Sequence, residues 1–471
     1  MTNTSAKEMA DFIERWLGSP ISRKVLEFCT KRCRCGRRIE LALNNYIGKK
    51  GEMCFNCRTA SFIVKKILDS IIARTDIDRK EITASLKDSM WRKGLASVLE
   101  GIGKYGVRKP FTAYSPFLIV WDLTKACNLN CKHCYQNARI PAADELNEKE
   151  ALEAVDKMAE AGIAYIALSG GEPLMRRDFF SIVKRIRDND MAVSIATNGT
   201  LLTRDRIEKM EKLGVSYIQI SLDGARAKTH DSFRGKNIFR KTIQGIKNAV
   251  KSNITIGIAT TVTKYNMKEV PAIINFAEKL GVDIFMYYNF VPTCRGKDIM
   301  NMDISPKERE DILSSMANQI GERDLSLLAT APQYGRICSA FSRLSLTHFD
   351  TFGQKEDTET GFLAEFIGGC GAGRLYCALE PNGDIYPCVF IPIKLGNIKE
   401  DDFLEVWHNS SVLKKIRDRA NFKGHCRVCE NRNICGGCRA RAYAYFDDIQ
   451  GPDPGCIFNQ KEWNKVKPIS K

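Results

Sequence analysis

The chain lacks any apolar run long enough to cross a bilayer. Its longest compact one covers only residues 116–121, whereas a spanning helix needs about 20 apolar residues. The first 20 residues have no apolar core of the kind a secretory signal requires and carry Lys7, Glu8, Asp11, Glu14 and Arg15 instead, so a cytoplasmic protein is expected. Histidine is scarce, five in 471 residues, which leaves little material for mixed cysteine–histidine zinc sites. A composition of 44% hydrophobic and 27% charged residues excludes fibrous and disordered classes, and the length allows two or three domains.

Cysteine, by contrast, is abundant. Eighteen cysteines, many in CxxC and CxxxCxxC clusters, in a long chain without a signal sequence argue for metal ligation over disulfides and for a host living with little oxygen. The formal charge is +16. That positive field favours acidic partners: a carboxylated substrate, an acidic electron donor such as a ferredoxin or flavodoxin, a nucleic acid or an anionic membrane surface.

From Phe117 onward, buried apolar runs alternate with amphipathic stretches at the spacing of repeated βα units. Strands are expected near 117–122, 163–169, 192–197, 216–222, 254–261 and 284–291, with helices near 148–161, 178–188, 204–213, 237–251 and 268–280. Six such strands make an α/β partial barrel, whose chemistry belongs at the strands' C-terminal ends.

Cys127, Cys131 and Cys134 follow the first strand, and Gly170-Gly171-Glu172-Pro173 follows the second. Three thiolates with no fourth cysteine in the segment can hold three irons of a [4Fe–4S] cube and leave one iron open. Zinc is the alternative for three nearby cysteines, but only His133 lies among them. The CxxxCxxC spacing and the Gly-Gly-Glu-Pro segment resemble the radical S-adenosylmethionine (SAM) superfamily, over roughly residues 113–330. The resemblance implies a (βα)6 barrel, SAM chelated to the open iron, and reductive cleavage of SAM to a 5′-deoxyadenosyl radical that abstracts hydrogen from a C–H bond. By the same resemblance Glu172 lies near the methionine amine, and Ser221 and Asp223 lie on the ribose side. Asn198, in Ala196-Thr197-Asn198-Gly199, can hydrogen-bond the cofactor. Arg234 could clamp the SAM carboxylate as a bidentate donor or serve at the surface.

The C-terminal third has a second cysteine set: Cys370, Cys388, then Cys426, Cys429, Cys435 and Cys438, and an isolated Cys456. It resembles the SPASM extension of radical SAM enzymes, which carries two auxiliary [4Fe–4S] clusters. The resemblance implies that Cys426, Cys429, Cys435 and Cys456 hold the outer cluster and Cys370, Cys388 and Cys438 the inner one, making three cubes with the barrel's. The inner fourth ligand is either Cys377 or the substrate, with a buried strand residue as the other reading of Cys377. Two residues, Gly436 and Gly437, precede Cys438 where the family usually has three. A pair of zinc sites is the alternative for the region.

Several stretches, among them Asn289-Phe290-Val291-Pro292-Thr293, Cys370-Gly371-Ala372-Gly373-Arg374 and Cys438-Arg439-Ala440-Arg441-Ala442-Tyr443, resemble the radical SAM enzymes of heme d and of siroheme-dependent heme biosynthesis. That resemblance implies an anionic tetrapyrrole substrate. A peptide or protein maturase, or a lipid-modifying enzyme, is the enzymatic alternative, and a cysteine-rich nucleic-acid-binding module with an inactive barrel is the non-enzymatic one. Cys294 stands where those relatives have glycine.

Residues 1–112 read as a helical domain before the barrel (113–330) and the SPASM region (331–471). Cys35, Cys54 and Cys57, with Cys33 or Cys29 as the fourth, suggest a small zinc knuckle; another iron–sulfur cluster is the alternative. The following helix, 60–74, is expected to bury Phe62, Ile63, Ile67, Ile71 and Ile72.

Overall fold

Runs that are apolar on both faces favour parallel strands sandwiched between helices, and the chain uses them so. The computed structural model describes residues 19–49, 51–73, 79–341 and 365–466. Its main sheet contains β1 (Leu118–Asp122), β2 (Tyr165–Ser169), β3 (Ala192–Thr197), β4 (Tyr217–Ser221), β5 (Thr255–Val262), β6 (Ile284–Asn289), β7 (Ser326–Ala329), β8 (Tyr376–Leu379), β9 (Asp384–Tyr386) and β10 (Gly396–Asn397). Their order is β10-β9-β8-β1-β2-β3-β4-β5-β6-β7, and the two outer strands do not pair, so the barrel stays incomplete. From β8 through β7 every pairing is parallel; β9 and β10 are antiparallel.

The six expected strands and five expected helices are all present. The parallel portion is longer than expected by β7 and by β8, which docks on β1 with Tyr376 opposite Leu118 and Cys377 opposite Ile119. The sheet therefore runs across residue 330 into the C-terminal region. Local signals set the helix ends: Asn147 and Glu150 form a capping box at the start of Glu148–Ala161, which stops at Gly162 in the left-handed region. That helix buries Ala151, Ala154, Val155 and Met158 against the sheet.

The helices between Pro20 and Tyr105 form their own apolar cluster, centred on Leu26, Ile39, Leu43, Val64 and Leu99. In Phe55–Ile72 the buried stripe is Ala60, Val64, Ile67 and Leu68, whereas Phe62 is 62% exposed. The expected stripe was thus out of phase at Phe62, because the 3.6-residue repeat through Ala60 and Val64 puts it on the other side. This helical unit docks at the N-terminal ends of the strands. Arg32 bonds the carbonyl of Glu160, and Lys93 Nζ donates to the carbonyl of Asn189 at 2.9 Å. Arg92 pairs with Asp190 at 2.7 Å. No helix among the described residues is long and apolar enough to cross a membrane.

Four fully buried charges join the barrel to the C-terminal region. Arg441 pairs with Asp303 at 2.8 Å and Asp453 at 3.2 Å, and Arg309 pairs with Asp303 at 2.7 Å. Removing one partner from such a set leaves an uncompensated buried charge, at a cost of about 3–5 kcal/mol. Arg441→Met should therefore lower the denaturation midpoint strongly, and adding Asp303→Asn should recover part of the loss; calorimetry of the metallated protein checks both.

Candidate active site

Residues alternate faces along a strand, and one face of β1–β6 lines a cavity of about 270 Å³. Val120, Tyr165, Ala167, Ser194, Ala196, Tyr217, Gln219, Ala259, Met286 and Tyr288 form its walls, and Gln219 and Tyr288 bond across it at 3.0 Å. The hydroxyl of Tyr217, buried in the wall, has no hydrogen-bond partner among the described residues. Toward the strands' C-terminal ends lie Cys127, Cys131, Cys134, Gly170, Gly171, Asn198, Ser221 and Arg234, so the structure brings the cysteine triplet and five of the eight expected SAM-side residues to one cavity.

The other three stand behind it. Glu172 is fully buried and accepts bonds from the Thr197 hydroxyl (2.8 Å) and the backbone N–H of Asn198 (2.8 Å). Burial pushes its carboxyl up to about 7 against those hydrogen bonds. Glu172 thus positions Asn198 from behind the cavity wall. Pro173 is buried in the short 3-10 turn that Glu172 caps. Asp223 is also fully buried; it accepts from Thr261 N–H at 2.8 Å and from Arg234 Nε at 2.6 Å. One oxygen braces Arg234 and the other holds the backbone of β5. Burial alone would raise Asp223, but Arg234 and its neighbours hold it below the usual carboxylate range.

Arg234 is no surface residue: one guanidinium nitrogen lies 3.9 Å from Cys131 Sγ and another 3.4 Å from His133 Nε2. Burial drives His133 down to about 4, so the imidazole is neutral at pH 7. Arg295, which sequence reasoning missed, also lines the cavity and donates to the carbonyls of Cys131 at 2.9 Å and Ala138 at 3.1 Å. Nothing in its local sequence distinguishes it from a surface arginine. Cys294 beside it is exposed, with φ +46°, a left-handed conformation in which glycine is at ease.

The Gly170-Gly171-Glu172 turn straps down the loop that carries the triplet. Gly171 N–H donates to the carbonyl of Thr124 at 2.7 Å and Glu172 N–H to that of Ala126 at 2.8 Å. A Cβ on Gly171 would lie 2.2 Å from the Ala126 oxygen.

The C-terminal cysteines fall into two neighbourhoods. Cys435 feels Cys456 and Cys426, and Cys429 feels Cys426; Cys438 feels Cys370 and Cys388. The split occurs at Gly436 and Gly437, both left-handed at φ +72° and +64°. Two successive glycines reverse the chain in a space that side-chain-bearing residues would strain. Cys377 does not join the inner group. It is fully buried on the face of β8 opposite to Tyr376, near Arg417, a placement that favours the reading of Cys377 as a buried strand residue over that of fourth ligand.

In the N-terminal unit, the sulfurs of Cys33, Cys35, Cys54 and Cys57 all lie within 4.8 Å of one another. Cys29 is buried apart from them in the helical core.

Residues 121–277 match the radical SAM superfamily and residues 370–438 match the SPASM iron–sulfur cluster-binding domain. The chain is 38% identical over 348 residues to the AdoMet-dependent heme synthase of Methanosarcina barkeri, a match spanning 73% of this chain and 97% of that one. The chain belongs to the radical SAM superfamily. It is also 28% identical to mycofactocin maturase MftC of Mycobacterium tuberculosis, over 74% of this chain and 84% of that protein. Streptococcus suis SuiB bound to S-adenosylmethionine shares the fold, with TM-score 0.61, 18% identity, and coverage of 89% of this chain and 92% of SuiB.

For a radical SAM enzyme with a SPASM domain the implied cofactors are SAM and [4Fe–4S] clusters, and the donor sets fit. Burial pushes Cys127 up to about 12, so its bare thiol would stay protonated; bound iron reverses that preference. The Tyr217 hydroxyl, without a partner among the described residues, and the half-buried Gly170–Gly171 backbone on the cavity wall suit a polar ligand in the cavity. When bound, these groups supply a hydrogen-abstracting radical; the chain's own residues shape the cavity, orient its ligands and exclude water. Gly171→Ala must displace the Ala126 backbone, which cannot yield as a side chain would. Reconstituted Gly171→Ala protein is expected to lose about four irons per chain and to keep the C-terminal iron, as metal analysis with and without the C-terminal cysteines would show.

Proposed function

We propose that this radical SAM enzyme acts on the carboxylated side chains of an iron tetrapyrrole, with the observation that carries the reading being a 38% identity that spans 97% of an AdoMet-dependent heme synthase. Arg234 and Arg295 on the cavity wall supply cations for carboxylates, of the substrate or of SAM. In this reading Gly170, Gly171, Asn198, Ser221 and Arg234 contact SAM, and Cys127, Cys131 and Cys134 hold its cluster. Cys426, Cys429, Cys435 and Cys456 hold the outer auxiliary cluster; Cys370, Cys388 and Cys438 hold the inner one. The net charge of +16 favours an acidic ferredoxin- or flavodoxin-like electron donor.

Anaerobic protein incubated with SAM, reductant and iron coproporphyrin or a siroheme-derived compound should yield 5′-deoxyadenosine together with a tetrapyrrole that has lost side-chain carbon. Changing Cys127, Cys131 and Cys134 to alanine should abolish both products and leave about eight of about twelve irons. A peptide that raises 5′-deoxyadenosine in step with its own mass change, with no tetrapyrrole turned over, would replace the substrate assignment and leave the radical chemistry standing.

The N-terminal cysteines hold zinc in this reading. Tetrahedral Zn–S bonds of about 2.3 Å put sulfurs roughly 3.8 Å apart, compatible with four sulfurs already gathered within 4.8 Å. The full chain should contain about one zinc, which Cys54→Ser with Cys57→Ser removes along with part of its thermal stability. Labile sulfide lost with that double variant would instead assign an iron–sulfur cluster.

A further inference from the structure

We propose that Tyr376 is the residue that tunes the inner auxiliary cluster, donating a hydrogen bond from its phenol to Cys388 Sγ while its ring forms part of the cavity wall. The inference rests on reading Cys370, Cys388 and Cys438 as that cluster's ligands.

Its geometry follows from the sheet. Tyr376 is the first residue of β8 and lies in register with Leu118 of β1, so its direction is set by the barrel and not by a mobile loop. Alternation sends Cys377 to the outer face and Tyr376 inward, where it lines the cavity. The side chain is only 6% exposed, and Oη lies 3.1 Å from Cys388 Sγ. Cys388, Cys370 and Cys438 all lie near enough to act on the phenol. The ring rests on Gly371, where a Cβ would come within 3.1 Å of its edge. One side chain therefore touches both the cavity and the inner cysteine set.

A hydrogen bond to a cluster sulfur stabilises the reduced, more negative state and raises the reduction potential. The phenol keeps its proton throughout, and the cluster alone changes its electron count. The role of Tyr376 is thus to favour electron acceptance by the inner cluster on the side that faces the reacting molecule.

The test is a redox titration followed by electron paramagnetic resonance, in a background where Cys127, Cys131 and Cys134 are alanine so that the auxiliary clusters are seen alone. Tyr376→Phe keeps the ring and should shift the inner cluster to a more negative potential with unchanged iron content. In protein carrying Tyr376, exchange into D2O should introduce, beyond the couplings of the Phe390 and Arg441 backbone N–H groups that also bond the inner cysteines, one further deuteron coupling to the reduced inner cluster that the phenylalanine variant lacks. An intact inner cluster with the same potential in both proteins, or identical deuteron couplings in both, overturns the proposal. Loss of the inner cluster's iron on Tyr376→Phe also overturns it, by making the tyrosine a ligand. Absence of any inner cluster when Tyr376 is present overturns the ligand reading beneath it.

Discussion

The architecture hinges on two carboxylates and two guanidinium groups buried together where barrel and C-terminal region meet. Asp303 accepts from Arg309, Arg441 and the Tyr445 hydroxyl; Asp453 accepts from Arg441, from Gln333 at 2.7 Å and from the backbone N–H of Cys438 at 2.8 Å. Each ion alone would cost several kcal/mol to bury. Here the mutual pairing and the added hydrogen bonds offset that cost. Arg309 also reaches Asn289 at the end of β6, and Arg441 reaches the carbonyl of Phe290 at 2.5 Å. A cysteine of the C-terminal set is thereby tied, through Asp453, to the last strand end of the cavity.

At the triplet the placement is done by backbone instead. The loop bearing Cys127 is fixed by main-chain bonds from Gly171 and Glu172, and acidic side chains that resemble ligand contacts turn inward to hold neighbours: Glu172 holds Asn198, and Asp223 holds Arg234. This division makes physical sense. Buried, hydrogen-bonded carboxylates keep their geometry whether or not the cavity is filled, leaving hydroxyl, amide and glycine groups to face a ligand that enters and leaves.

The barrel was legible because its signal is local: 3.6-residue periodicity in Glu148–Ala161 or Ile238–Ala249, and apolar runs of strand length between. The addition of β8 to the sheet was not, since its partner Leu118 is 258 residues away and four residues carry no mark of what they pair with. Register governs the chemistry there. Moving the assignment by one residue exchanges Cys377 for Tyr376, and spacing alone cannot decide between them. Motif resemblance located Asp223 and Glu172 at the site but could not give the direction of their side chains. The roles of Arg295 and Arg441 stayed hidden in a chain with 72 lysines and arginines, because Arg441 is set apart by burial and Arg295 by its bonds to the carbonyls of Cys131 and Ala138, neither of which composition shows.

The barrel's polarity separates the N-terminal cysteine quartet from the cysteine triplet of the cavity. Arg32 and Lys93 of the helical unit bond carbonyls at Glu160 and Asn189, which precede β2 and β3, while Cys127, Gly171 and Asn198 follow β1, β2 and β3. The N-terminal cysteine quartet belongs to the unit docked at the closed end, and the cavity's cysteines stand at the other. A metal in the quartet would hold a small helical core against the barrel without touching a molecule in the cavity. The site's specificity then comes from the strand ends, from Arg234 and Arg295, and from the wall that Tyr376 contributes.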